Sequence, residues 1–185
     1  VTQVDLKNKT VRAGGKSYSF DTLVNTLPLP AFLRLLTGEK RLSAYAKQLQ
    51  NRSIRVYHLA INRAVKPFSW IYFPDKIDPF YRVGLQSGFS PYNAPEGTSL
   101  FYIELPPDAP PSKRRIWNAL VQKGIIKESD KALLSRWQPL PYAYAVYDQH
   151  RSRAVRQALA ALAKRGCFCA GRYGRWEYSF MESSL

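Results

Sequence analysis

The sequence predicts an α+β fold, with an antiparallel or mixed central sheet and flanking helices, from three observations. Residues 53–105 hold four aromatic and β-branched runs, separated by Pro-, Gly- and Asp-bearing turns. Apolar residues at i, i+3, i+4 and i+7 mark helices before and after that stretch. Both ends of the chain alternate like strands again.

In order, Val4 and Leu6, then Val11, then Tyr18 and Phe20 alternate with polar residues, and Asn8-Lys9 and Gly14-Gly15 mark the turns of a meander. Asp21–Leu27 is a short buried strand, closed by Pro28. Leu29, Phe32, Leu33 and Leu36 share one helix face that ends at Gly38, and Leu42, Tyr45, Ala46 and Leu49 repeat the spacing. The four runs Ile54–Asn62, Ser69–Phe73, Phe80–Gln86 and Ser99–Leu105 are strands of one sheet. A helix is expected from Ser112, its N-cap, to Lys123, with Gly124 as its stop. A short helix is expected over Ser129–Trp137 and a strand over Tyr142–Tyr147. Val155, Ala158, Leu159, Leu162 and Ala163 form the stripe of a helix over 150–164, with Arg151, Arg153, Arg156 and Lys164 largely outside it. Cys167–Ala170 is a short apolar strand.

Composition narrows the function. No stretch is apolar over 18 or more residues, which excludes a membrane-spanning helix, and no charged-then-apolar leader opens the sequence. Cys167 and Cys169 are the only cysteines, one residue apart, which suits reduced, buried thiols in a cytoplasmic protein; with two histidines they fall short of a metal site. The 28 Lys and Arg against 13 Asp and Glu give a net charge of +15 and point to an anionic partner. These cations are spread along the chain, so no specific nucleic-acid binding is expected: any association with DNA should be weak, sequence-independent and steeply salt-dependent.

The last residues carry the chemistry. A strand runs into Gly171-Arg172-Tyr173-Gly174-Arg175-Trp176-Glu177-Tyr178 and toward a helix start at Met181-Glu182. Glycines admit a ligand close to the backbone, a helix start offers unpaired N–H groups, and Arg172 adds a planar charged fork. In the sheet, Tyr81, Val83 and Leu85 point to one face and Arg82, Gly84 and Gln86 to the other, which makes Arg82 a candidate substrate contact or a cross-strand partner of Glu104. Tyr81 and Trp70 are further substrate candidates on this aromatic sheet. His58 reads as a hydrogen-bonded sheet histidine and His150 as solvent-facing.

The terminal run resembles the C-terminal FAD motif of the flavoprotein superfamily of flavin amine oxidases, protoporphyrinogen oxidase and UDP-galactopyranose mutase. Residues 1–28, ending in Leu23-Val24-Asn25-Thr26-Leu27-Pro28, resemble the meander and return strand of that superfamily's FAD domain. The resemblance implies FAD contacts at Gly171, Arg172, Tyr173, Gly174, Trp176, Tyr178 and Met181, with the catalytic residues left open. It implies that 1–28 and 166–185 are a remnant of the FAD-binding domain and 29–165 a substrate-side domain of an FAD-linked reductase-like fold. No Gly-x-Gly-x-x-Gly fingerprint is present, and the sequence begins Val1-Thr2-Gln3. A C-terminal fragment is therefore expected, inactive and free of FAD by itself, whose partners are the missing N-terminal dinucleotide-binding half and a small-molecule substrate. The intact parent is expected to be an FAD-dependent oxidoreductase of the amine oxidase or protoporphyrinogen oxidase-like class. The alternatives are a UDP-galactopyranose mutase-like isomerase, a basic nucleic-acid-binding module and a non-catalytic scaffold.

Overall fold

The computed structural model describes residues 1–110, 112–180 and 182. In chain order the elements are β1 (Gln3–Asp5), β2 (Thr10–Ala13), β3 (Lys16–Ser19), β4 (Leu23–Asn25), α1 (Leu29–Arg34), α2 (Lys40–Tyr45), β5 (Asn51–Ile61), β6 (Trp70–Tyr72), β7 (Arg82–Leu85), β8 (Ser99–Leu105), α3 (Lys113–Gln122), β9 (Ala132–Ala145), α4 (Arg151–Ala163), β10 (Cys167–Cys169) and the single turn α5 (Gly171–Gly174). Two compact units result: 1–52 with 144–185, and 53–143.

In the first unit β1, β2 and β3 form the meander, with Val4, Val11 and Tyr18 in register. Gly14 and Gly15 both have positive φ (55° and 76°), the requirement of a two-residue hairpin turn that matches strand twist. β4 pairs with β10 in parallel, Val24 opposite Phe168, so the two ends of the chain meet in one two-stranded sheet. Helix α1 starts with Pro30 in its first turn, where a missing N–H costs nothing, and buries Leu29, Phe32 and Leu33. Helix α4 buries Ala154, Val155, Ala158 and Leu162. It also buries Arg151, against the expectation that this residue lies outside the stripe.

The second unit is a five-stranded sheet in the order β6-β7-β8-β5-β9. Pairings β6–β7, β7–β8 and β8–β5 are antiparallel. One face carries Leu59, Ile61, Val83, Leu85, Phe101 and Ile103 against Ile116 and Leu120 of α3. Ser112 caps α3, its hydroxyl accepting from the Arg115 N–H at 3.3 Å.

The expected helix over Ser129–Trp137 is instead the start of β9. Asp130 accepts two hydrogen bonds from Arg63, both at 2.7 Å, and one from the Lys127 N–H at 2.8 Å, which turns the chain back along β5. The Trp137 ring then lies 4.7 Å from that of Tyr57. Pro139 and Pro141 suit an edge strand and would break a helix.

Candidate functional site

Each unit carries a chemically loaded surface. In the first unit it is built where β10 ends. The Ala170 N–H donates to the Asn25 carbonyl at 3.0 Å, and Gly171 then turns the chain with φ 68°. The expected turn at 171–174 is itself helical, a single turn closed by Arg175 N–H to Gly171 O at 2.9 Å. Gly174 lies against β4: a Cβ there would sit 2.5 Å from the Asn25 carbonyl oxygen. Trp176 follows in the left-handed region (φ 54°), fully buried.

A left-handed tryptophan needs holding, since this conformation is unfavourable for a bulky side chain. Arg151 does so. Its Nε donates to the Trp176 carbonyl at 2.9 Å, its Nη2 donates to the same oxygen, and its guanidinium lies 3.9 Å from the Tyr147 ring centroid. The Tyr147 hydroxyl accepts from the Tyr178 N–H at 2.7 Å. Thus pinned, the Tyr178 ring stacks on Tyr144, centroids 6.3 Å apart and planes 20° apart. The Arg172 guanidinium lies 4.2 Å from the Tyr178 ring and 5.8 Å from the Tyr144 ring. It makes no hydrogen bond or ion pair with the described residues. Its donors are therefore open to a planar or anionic group laid beside the two rings.

Of the sequence-predicted residues, Gly171, Arg172, Gly174, Trp176 and Tyr178 come together here, each with a different part: Gly174 and Trp176 pack inward, Arg172 and Tyr178 face out. Tyr173 is exposed. Met181 lies outside the described residues. Sequence reasoning missed Tyr144, Tyr147 and Arg151. One signal was available: a cation in the first turn of a helix opposes the helix dipole, so Arg151 needed a reason to be there.

β10 also places the two thiols on one side. Both cysteines are free, and burial pushes the Cys167 thiol up to about 12, which keeps it protonated and inert.

In the second unit the surface is the sheet face opposite the core. Glu104 accepts from the Tyr81 hydroxyl at 2.8 Å and pairs with Arg82, its cross-strand neighbour. Arg82 also donates to the Tyr72 hydroxyl at 3.1 Å, and its guanidinium lies 5.6 Å from the Tyr72 ring centroid and 6.0 Å from that of Tyr102. The Tyr102 ring covers Gly84, where any Cβ would overlap it. His58 Nε2 meets Gln138 Oε1 at 2.9 Å, a sheet histidine as expected. Beside them opens a shallow cavity of about 340 Å³, lined in part by His58, Gln86, Phe89, Tyr102, Glu104 and Gln138. Trp70 stacks on Phe89 at 6.2 Å and is half exposed. Among the described residues no group of three His, Cys, Asp or Glu is placed to hold a metal, and no helix is long and apolar enough to cross a membrane.

No family model matches the sequence. Among solved structures, a reduced UDP-galactopyranose mutase superposes with a TM-score of 0.80 at 23% identity, over 96% of this chain and 41% of that chain. The chain has the fold of that part of the mutase. The same fold extends with TM-scores of 0.55 to a CLA-producing fatty acid isomerase from P. acnes (15% identity, 92% of this chain, 41% of that one) and to an oxidoreductase from Methanosarcina mazei (13%, 94% and 43%). The chain thus spans about two fifths of the length of each of these proteins.

Proposed function

We propose that this chain is the C-terminal part of an FAD-dependent oxidoreductase of the amine oxidase or protoporphyrinogen oxidase-like class, acting on a small molecule in the cytoplasm. The observation that carries the reading is the Arg172 fork, open beside Tyr144 and Tyr178 in the terminal turn of a chain with the mutase fold. Residues 1–28 and 166–185 form the cofactor side, joined there by Tyr144, Tyr147 and Arg151 from 29–165, which is otherwise the substrate side. A dinucleotide-binding half completes the cradle.

FAD supplies the redox chemistry when bound. The residues of this chain orient and screen. Arg172 offers its N–H donors and fixed charge to the cofactor's carbonyl or phosphate oxygens. Gly171 gives the turn its direction, and Gly174, Trp176 and Arg151 hold it rigid. In the second unit Trp70 supplies an aromatic surface for substrate. Tyr81 and Arg82 reach the cavity through the carboxylate of Glu104, which fixes both side chains and lines the cavity beside amides and rings.

A second reading, a mutase-like isomerase, is favoured by one observation: the superposition on the mutase (0.80) is much closer than that on the oxidoreductase (0.55). Purifying the intact protein separates the two. Under the first reading it carries flavin, and substrate turnover consumes an electron acceptor. Under the second, reduced protein interconverts a nucleotide sugar with no net consumption of acceptor. Intact protein that neither purifies with flavin nor takes it up contradicts both.

A further inference from the structure

The first unit gathers cations that are scattered in the sequence. Three concavities there run into one another. One, of about 490 Å³, lies along α2 and the start of α4. It shares Arg41, Tyr45 and Gln157 with a second of about 340 Å³. That one shares Glu39, Lys164 and Arg165 with a third, of about 470 Å³, beside the turn after β1. Lys7, Lys9, Arg41, Arg153, Lys164 and Arg165 line the combined trough, and all six are exposed. Glu39 is the one acid among the described lining residues, and Arg165 holds it at 3.1 Å. The side chains of Lys7, Arg41, Arg153 and Lys164 make no hydrogen bond or ion pair with the described residues.

We propose that this trough docks an acidic polypeptide segment, one rich in Asp and Glu. The charge asks for an anion extended over several cations rather than a single small one. The rest of the lining selects among polyanions. Ala160 and Ala161 keep the floor low, and the amides of Gln48, Gln149 and Gln157 offer both donors and acceptors, as a peptide backbone requires. Single-stranded nucleic acid is held by successive aromatic platforms, and among the described lining residues only Tyr45 and the His150 imidazole carry a ring. An anionic membrane is engaged by apolar residues projecting from a helix face, whereas this surface is concave. Lys7 and Lys9 fall in the cofactor-side segment, but neither they nor Arg41 and Lys164 are among the residues proposed to contact FAD, so a test that varies Arg41 and Lys164 is independent of the flavin reading.

The test is fluorescence anisotropy of a labelled oligo-glutamate peptide titrated with the chain. Binding is expected, weakening as salt rises. Arg41→Glu with Lys164→Glu is expected to weaken it about tenfold or more, two exposed charge contacts each being turned into repulsions. Arg114→Glu with Arg115→Glu, an equal change of charge on α3, is expected to leave it near wild type. If the reversed pair disturbs the circular dichroism of the fold, Arg41→Gln with Lys164→Gln reads the same effect with milder changes. An equal loss in the α3 control reduces the effect to net charge and overturns the proposal. Tighter binding of oligo-dT, or of vesicles containing phosphatidylserine, assigns the surface to a different partner and overturns it too. So does the absence of any binding.

Discussion

Two glycines three residues apart in the terminal turn are required for opposite reasons. Gly171 has φ 68° and open space around its missing side chain; Gly174 has ordinary dihedrals and no space, with the Asn25 carbonyl 2.5 Å from where a Cβ would be. Gly171→Ala is expected to cost about 1–2 kcal/mol through backbone strain, and Gly171→Asn less, since Asn tolerates the left-handed region. Gly174→Ala is expected to cost about 1–3 kcal/mol, because backbone must shift to admit the methyl group, with no relief from Asn. Urea unfolding of the three variants checks the order. The Gly-Arg-x-Gly spacing was legible in the sequence, and so was the meeting of a strand with a turn. The division of labour was not, because a sequence does not say whether a glycine is kept for its dihedral or for its neighbour. Arg151 was misplaced on the solvent side for a related reason: its partner is a backbone carbonyl 25 residues away, which no side-chain pattern announces.

At the level of elements, the sheet was legible where alternation is strong. The four runs between 53 and 105 became β5 to β8, and the four helices with apolar stripes became α1 to α4. β9 was half missed, because its residues 132–138 are largely exposed and lack a one-sided apolar pattern. Its start is fixed by Asp130, whose carboxyl is held below its ordinary value of 3.8, first by the Arg63 hydrogen bonds and then by the Lys127 N–H. The folded state thus gives up this proton at a lower pH than the unfolded chain does. Its stabilisation is complete above the unfolded value and is lost as the pH falls through the folded one. Asp130→Asn is expected to lower stability at neutral pH by about 1.5–3 kcal/mol and to flatten the acid limb of the stability curve below about pH 4. Denaturant melts from pH 7 to pH 3 test both, and parallel curves for wild type and variant would contradict the assignment. The β7–β8 pair makes a second prediction. Burial raises the Tyr102 phenol above its ordinary 10.0, more than nearby Arg82 lowers it. Gly84→Ala forces the ring off β7 into solvent, so Tyr102 is expected to titrate closer to 10. Tyrosinate absorbance, referenced to Tyr102→Phe, measures the change; an unmoved titration would mean that the ring keeps its place.

At the scale of the whole molecule, the sequence pointed to the fold class, and its terminal run and meander resemble those of the flavoprotein superfamily. The superposition on the mutase over 96% of this chain agrees with that reading of the fold. The charge of +15 was legible as a sum and illegible as a surface, since residues 7, 41, 153 and 164 are brought together only by folding. The proposed function rests on one proposed contact, the Arg172 guanidinium against FAD. A charge-assisted hydrogen bond contributes about 1.5–3 kcal/mol, which sets the scale of its loss. The decisive measurement is a flavin titration of the intact protein in wild-type, Arg172→Ala and Arg175→Ala forms. Arg175 is the internal control, being exposed and paired with Glu177 at 3.2 Å. The expected result is a loss of about tenfold to a hundredfold in FAD affinity for Arg172→Ala, with Arg175→Ala close to wild type. Equal affinities for wild type and Arg172→Ala, with activity also unchanged, would contradict the account and leave the Gly-Arg run a structural turn.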